Sequence, residues 1–403
     1  VASGGSTATA AVVLIYTSNE ATANFAEADI TETSCTTGTF TVTSTTVYGS
    51  TCTVASDSTP TVSVAAGAFS DSTGNTNSVS NTYTWTQDDT NPIISLTTSA
   101  GDGHVSKDEY ATNGFNVLGM VNADANGQTV TVNYGGASST CTAGSGTFSC
   151  TFSTGVLAAA NSGAGISDGT IDVTADVDDA TGNSATQAVA TLIQDTVDPT
   201  MTITSATVAS GSSTTTAAVV LVYTASQATS NFVIGDITVT NCNNAAFTTA
   251  STTVYGSTCT VAADSTPTVL VAAGAFTDAV SNDNTVSNTY TWTQDDTGPT
   301  MTITSNTVSS GATTATAAVV LIYTSNEATD DFAIADITET NCNTDTFTTT
   351  STTVYGSTCT VTADSTPTVL VAAGTFTDAT NNDNQVSNTY TWTQDDTGPT
   401  MTI

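Results

Sequence analysis

The sequence predicts an all-β chain of four tandem antiparallel β-sandwich domains in an elongated array. Three observations carry that prediction: residue usage, a repeat of about one hundred residues, and two cysteines in every repeat. Of the 403 residues, 38% are apolar and most of the remainder are Thr, Ser, Ala, Gly and Asn. Thr and Val fit the pleated surface of a strand, while Gly, Asn, Asp and Ser supply turn conformations. Leu, Lys, Arg, Gln and Glu, which favour helices, are scarce, so helical architectures are disfavoured.

The repeat is explicit. The decapeptide Ser-Thr-Thr-Val-Tyr-Gly-Ser-Thr-Cys-Thr occurs at 44–53, 251–260 and 351–360. Gln-Asp-Asp begins at Gln87, Gln294 and Gln394, each time two residues after Trp85, Trp292 or Trp392. The step between the last two tryptophans is 100 residues, and that between the first two is 207, which leaves room for one more unit. Pro92, Pro199, Pro299 and Pro399 mark successive starts. The predicted domains are therefore 1–90, without its first strand; 91–197, a divergent unit lacking the Trp; 198–297; and 298–397. Residues 398–403 read as the first strand of a following domain or a donor strand.

Within the fourth unit the alternation of apolar and polar residues predicts strands at 300–305, 317–323, 334–340, 346–352, 353–362, 368–372 and 387–394. In the second of these Val319, Leu321 and Tyr323 share one face, with Val320 and Ile322 on the other; in the last, Tyr390 and Trp392 share a face. About seven short strands separated by turn residues is a sandwich pattern. A period near 100 residues is too long for one coil of a β-solenoid.

The 8 cysteines pair off by unit as Cys35–Cys52, Cys141–Cys150, Cys242–Cys259 and Cys342–Cys359. Two per unit with none left over implies one disulfide per domain and an oxidising compartment. Zinc is the weaker reading, because His104 is the sole histidine and no Cys-x-x-Cys occurs.

One Lys or Arg against 36 Asp and Glu gives a formal charge of −35. Such a surface cannot hold a phosphate backbone, which excludes nucleic acid as a partner, and it is repelled by anionic membranes. Self-repulsion on this scale calls for screening by salt or divalent cations. The apolar runs are strand-sized, so no membrane insertion is expected. Histidine-dependent triads have only His104 to draw on, no glycine-rich phosphate loop joins a strand to a helix, and the paired Asp residues sit at domain ends rather than in a cleft. An enzyme is not expected. No Asn-x-Ser/Thr sequon occurs, so N-linked glycans on that sequon are not expected, whereas Thr-rich strands leave O-linked sugars open.

Calcium is the one cofactor the residues suggest. Asp88, Asp89, Asp295, Asp296, Asp395 and Asp396 stand at domain junctions, with Asp195 in the divergent one, and calcium takes carboxylate and carbonyl oxygens. Further ligands could come from Asp29, Asp236 and Asp336, or from Asp71, Asp278 and Asp378.

The frames Pro-Thr-Met-Thr-Ile-Thr-Ser, Phe-x-x-x-Asp-Ile-Thr, Val-Ala-Ala-Gly-x-Phe-Thr-Asp and Trp-Thr-x-Asp-x-Thr-x-Pro resemble bacterial immunoglobulin-like domains, which occur in tandem in large adhesins and other surface proteins. The resemblance spans units three and four, and unit one without its first strand. Unit two, with 101–109 and 179–183, resembles the related repeats of biofilm-type adhesins. It implies an immunoglobulin-like sandwich and an extracellular or cell-surface location. In those repeats junctions often hold calcium, and Asp102, Asp108 and Glu109 resemble that family's ligand segment.

Val1 aligns with Val208 and Val308, so the strand supplied elsewhere by 201–204 or 301–304 has no counterpart in unit one, while Met401, Thr402 and Ile403 repeat its sequence. Either the chain is cut from a longer repetitive fibre, or copies join head to tail by donating the last strand. The expected function is a structural component of an extracellular filament or surface stalk. The alternative is an adhesin arm whose divergent second unit binds a glycan or surface receptor. An ice-binding Thr ladder is disfavoured, because immunoglobulin-like sheets twist.

Overall fold

The computed structural model describes residues 1–97, 102–329 and 331–403. It divides into two units, Val1–Asp198 with Val280–Asn282, and Pro199–Ala279 with Asp283–Ile403. Buried apolar side chains gather into four separate clusters, each drawing on one sequence repeat.

In the second unit, repeat 4 sets the pattern. Strand Ala318–Ser325 reads AVVLIYTS and alternates cleanly: Val319, Leu321 and Tyr323 are fully buried, while Val320 is 48% exposed. It pairs with Met301–Ser305 on one side and Val354–Thr360 on the other, and Asn343–Ser351 completes a four-stranded sheet. The facing sheet is Ile337–Thr340, Thr368–Val371 and Tyr390–Thr391, all antiparallel. Repeat 3 reproduces both sheets with Met201–Thr204, Ala218–Ala225, Val254–Thr260 and Asn243–Thr249, opposed to Ile237–Thr240, Thr268–Val271 and Tyr290–Thr291.

The expected final strand at 387–394 is divided. Tyr390–Thr391 pairs antiparallel within the three-stranded sheet, whereas Thr393–Gln394 pairs parallel with Thr313–Thr314. The chain changes partner at Trp392, and the indole there is 1% exposed. Tyr390 lies beside it with ring centroids 6.3 Å apart, on the shared buried face expected from the alternation. The segment expected to be extended from residue 334 opens with a 3-10 turn, Ile334–Asp336, whose Asp336 carboxylate accepts from the Ala333 amide.

In the first unit, repeat 1 has the same scheme, but the sheet containing Ala11–Thr17 has three strands, with Val47–Thr53 and Thr36–Val42. Repeat 2 is built differently. A five-stranded sheet runs in the order His104–Ser106, Ala188–Asp195, Gly169–Val177, Thr129–Tyr134, Ala137–Thr142, and faces Thr147–Phe152, Phe115–Val121 and Ile94–Thr97. It also carries a helix, Thr154–Gly163, that the all-β expectation did not include. Its start follows ordinary helix chemistry: the Ser153 hydroxyl accepts from the Val156 amide, and Leu157 is buried.

All four disulfides form as paired from the sequence, with Cα–Cα distances of 5.7, 5.0, 5.6 and 5.7 Å. Among the described residues no helix is long and apolar enough to cross a membrane.

Candidate metal centre at a repeat junction

Each repeat contains a five-residue loop, Asp-x-Thr/Val-x-Asn, at 71–75, 179–183, 278–282 and 378–382. In the fourth, Asp378 Oδ1 accepts from the Thr380 amide at 2.7 Å, the Thr380 hydroxyl at 2.8 Å and the Asn382 amide at 2.9 Å. Asn382 Nδ2 donates to Asp378 Oδ2 at 2.9 Å. An Asx turn of this kind fixes the loop locally, before any partner is met. Its fourth position has positive φ, held by Gly74 and Gly182 in the first two repeats and by Ser281 and Asn381 in the others.

The fixed Asn reaches onto the preceding repeat. Asn382 Nδ2 donates to the Asp295 carbonyl at 3.0 Å, and Asn183 Nδ2 donates to the Asp88 carbonyl at 2.9 Å. Asn282, which groups with the first unit, donates in the same way to the Asp195 carbonyl at 2.8 Å. The final Asp of one repeat is thus captured through its backbone by the next. Asn183, Asn282 and Asn382, to which the sequence analysis gave no role, are the groups that hold the Asp88, Asp195 and Asp295 carbonyls.

At one junction the carboxylates also converge. Ligand oxygens of Asp295, Glu327 and Asp378 lie within 4.8 Å of one another. Asp378 is buried and the other two are half-buried. Burial pushes the Glu327 carboxyl above its usual range, and the charges of Asp295 and Asp378 add to that push. Burial alone would raise Asp378 as well, but the hydrogen bonds from Asn382 and Thr380 outweigh it and leave that carboxyl below its ordinary value. The three groups offer only oxygen, a donor set that suits a hard cation such as calcium. With one Lys or Arg in the whole chain, a balancing charge has to come from solution. A bound ion would be held by Asp295, Glu327 and Asp378 and would cancel their mutual repulsion.

The other expected ligands are differently employed. Asp89, Asp296 and Asp396 donate their backbone amides to the carboxylates of Asp57, Asp264 and Asp364 of their own repeats, each at 2.8 Å, and are themselves exposed. In repeat 2, Asp102 Oδ1 accepts from the His104 amide at 2.9 Å, and Glu109 Oε2 accepts from the Ser106 amide at 3.0 Å, so both carboxylates brace their own turn. Asp108 is exposed, and among the described residues these three form no three-carboxylate group. Gly101 of that segment lies outside the described residues. Asp29 and Asp236, like Asp336, accept from a backbone amide three residues earlier. A second cluster, Glu339 with Cys342 and Cys359, has its sulfurs committed to a disulfide.

The position of Glu327 explains why one junction stands out. Asn326 Oδ1 accepts from the Thr300 amide, and Asn122 Oδ1 accepts from the Ile93 amide in the same way. Ala123 therefore occupies the place of Glu327 in repeat 2, and Gln227 occupies it in repeat 3. Calcium at ten times its dissociation constant is expected to stabilise the second unit by about 1.4 kcal/mol. Glu327→Gln should abolish most of that gain while leaving the calcium-free melting temperature equal or higher. Calorimetry of chelated and calcium-loaded protein checks both.

The Asx loops also set an acid limit. Hydrogen bonds from Asn75 and Thr73 hold Asp71 down to about 2, and Asp179 is lowered because the bonds from Asn183 and Thr181 outweigh its burial. A depressed carboxyl stabilises the fold above the unfolded value of about 3.9 and loses that contribution as pH falls through the folded value. Exchange protection of the Asn75 and Asn183 amides is expected to hold at pH 5 and to drop progressively below about pH 4.

No family model matches the chain, and no curated protein matches it. Several solved structures are similar to it at low identity. One concerns host cell surface retention of a 1.5-MDa bacterial ice-binding adhesin; it is 18% identical, with 76% of this chain and 97% of that one covered at a TM-score of 0.35. A tetra-tandem repeat from the extending region of a large adhesion protein is 19% identical over 89% of this chain and 88% of that one, at a TM-score of 0.30. A bacterial immunoglobulin-like domain from the M. primoryensis ice-binding adhesin is 22% identical over 26% of this chain and 99% of that one, at a TM-score of 0.20. The fold assignment itself rests on the strand pairing described above.

Proposed function

We propose that the chain is a non-catalytic structural component of an extracellular filament or cell-surface stalk, whose repeats are clamped end to end and whose copies assemble head to tail. The observation that carries this reading is the recurring clamp: the Asn of a pre-formed Asx loop captures the last Asp carbonyl of the preceding repeat at 2.9 Å in one unit and 3.0 Å in the other. A clamp repeated at successive joints restricts bending between neighbours, and a repeat protein built on such nearest-neighbour contacts can be lengthened without redesign. The disulfides support an oxidising, extracellular setting. The −35 charge supports one in which salt or divalent ions screen repulsion. Calcium at the Asp295–Glu327–Asp378 junction is part of the proposal, as the ion that stiffens that joint.

Small-angle scattering of the chain tests the stalk. An extended particle whose flexibility increases on chelation, or in Asn382→Ala, is the expected result. A compact particle indifferent to both would overturn it.

A second reading, an adhesin arm, is favoured by one specific feature. Among the described residues, repeat 2 alone carries an α-helix, Thr154–Gly163, and a five-stranded sheet, a departure that a pure spacer does not require. Binding of residues 91–197, presented in the full chain, to a glycan array would favour that reading. Fold by itself does not choose between the two.

A further inference from the structure

Residues 11–20 read AVVLIYTSNE, identical to 318–327. In repeat 4 this strand is covered by Met301–Ser305, with Met301 opposite Ser325, Thr302 opposite Thr324 and Ile303 opposite Tyr323. Met301 and Ile303 point into the core and are 2% and 1% exposed. Asn388 locks the covering strand, accepting from the Ile303 amide at 2.8 Å and donating to its carbonyl at 3.0 Å, while the Gln385 amide donates to the Pro299 carbonyl at 2.9 Å. Asn288 does the same to Ile203 in repeat 3, at 2.7 and 3.0 Å.

In repeat 1 the identical strand lies at the edge of its sheet, paired on one side to Val47–Thr53. Along the other side runs a groove of about 860 Å³, lined by Leu14, Tyr16, Val64, Phe69, Asn81 and Tyr83. Tyr16 and Tyr83 are half-buried, whereas their counterparts Tyr323 and Tyr390 are buried. Asn81 is the counterpart of Asn388 by the shared Ser-Asn-Thr-Tyr sequence, and among the described residues its side chain makes no hydrogen bond of the Asn388 kind. Asn75, the counterpart of Asn382, bonds inside its own loop, to Asp71 and Thr73 at 2.9 Å.

We propose that this groove in repeat 1 receives residues 399–403 of a second copy of the chain, as a donated β-strand. The argument is that both halves of the joint are already present as a working pair. Pro-Thr-Met-Thr-Ile at 399–403 repeats 199–203 and 299–303, and the receiving strand repeats the one that 299–303 covers in repeat 4. Met401 and Ile403 match Met301 and Ile303, which are 2% and 1% exposed where that strand covers its partner in repeat 4. The register follows from repeat 4: Met401 opposite Ser18, Thr402 opposite Thr17, and Ile403 opposite Tyr16. An edge strand that gains a partner in this way loses its exposed row of amides and carbonyls. The same docking brings the Asp395 carbonyl to Asn75, and sets Asp395, Glu20 and Asp71 in the places of Asp295, Glu327 and Asp378. The inference rests on the stalk reading for its purpose, since it makes the joint between copies a repetition of the joint inside the chain.

The test is sedimentation of the 403-residue chain over a concentration series, with a cysteine pair placed in register. Linear multimers are expected, with mass rising with concentration. Thr17→Cys with Thr402→Cys should give a covalent ladder on non-reducing gels, and the out-of-register pair Val13→Cys with Thr402→Cys should not. Ile403→Asp, which alters no residue within the four repeats, should weaken association at least about tenfold, because a carboxylate would enter an apolar site. A peptide of sequence Gly-Pro-Thr-Met-Thr-Ile should cap the multimers. Multimers that persist in Ile403→Asp, a cross-link confined to single chains, or a monomer that ignores the peptide would each overturn the proposal. A monomer that binds the peptide would overturn the second copy as occupant. An extended monomer in scattering would leave the stalk reading standing while the donated strand fell.

Discussion

Trp392→Ala is expected to destabilise repeat 4 by about 3–5 kcal/mol, the cost of emptying a large, fully packed aromatic site. The indole is 1% exposed and sits where the chain leaves Tyr390–Thr391 for Thr393–Gln394. It therefore does more than fill volume, because the backbone on its two sides belongs to different pairings: Thr391 opposes Thr368, and Thr393 opposes Thr313. Removing it loosens the core and the point at which one strand serves both sheets. Its neighbour Tyr390 donates its hydroxyl to the Val308 carbonyl, fastening the segment that precedes Thr313–Thr314. A domain of this size is stable by only about 5–15 kcal/mol, so the loss is a large part of the total. Chemical denaturation followed by the fluorescence of Trp85 and Trp292 should show their transitions unmoved, while an earlier one appears in far-ultraviolet dichroism. A single shared transition would mean that the repeats unfold as one cooperative body.

The same aromatic pair shows what the sequence made legible. Strict alternation through 387–394 announces the face shared by Tyr390 and Trp392, since side chains two apart on a strand project the same way. Pairing of Cys342 with Cys359 was equally open, because two cysteines per repeat leave one arrangement within a repeat. What stayed hidden depended on residues brought together from far apart. Asp57 meets the Asp89 amide across 32 residues, and Asn382 meets the Asp295 carbonyl across 87. Neither pairing leaves a local pattern. Glu327 was obscured for another reason: Glu20 matches it in repeat 1, but repeats 2 and 3 carry Ala123 and Gln227, so comparing all four repeats for what they share discards it. The helix Thr154–Gly163 did have a local signal, a Ser153 cap before Leu157 and three alanines, but scarcity of helix formers across the whole chain masked it. Local composition decides a ten-residue helix, and averages over four hundred residues do not.

Reduction of Cys342–Cys359 is expected to cost repeat 4 about 3 kcal/mol on the chain-entropy account, which fits a loop of this length. The cross-link spans 17 residues and joins the end of the strand Ile337–Thr340 to Val354–Thr360, with Cys359 fully buried. The loop it closes contains Asn343–Ser351, the edge strand of the four-stranded sheet, where register shifts between Asp345 and Thr348. That strand is the element most dependent on the link, because its pairing with Val354–Thr360 is irregular and, among the described residues, it lies at the edge of the sheet. Exchange protection should therefore fall first across 343–351 in Cys342→Ala/Cys359→Ala, before the strands carrying Val319, Leu321 and Tyr323 are affected. Equal loss of protection everywhere would place the effect in the unfolded chain alone. With one such bond in each repeat, a reducing medium would withdraw a comparable amount from all four. Small sandwiches that have only about 5–15 kcal/mol to lose cannot spare that much and still bear load, so the proposed stalk depends on an oxidising medium.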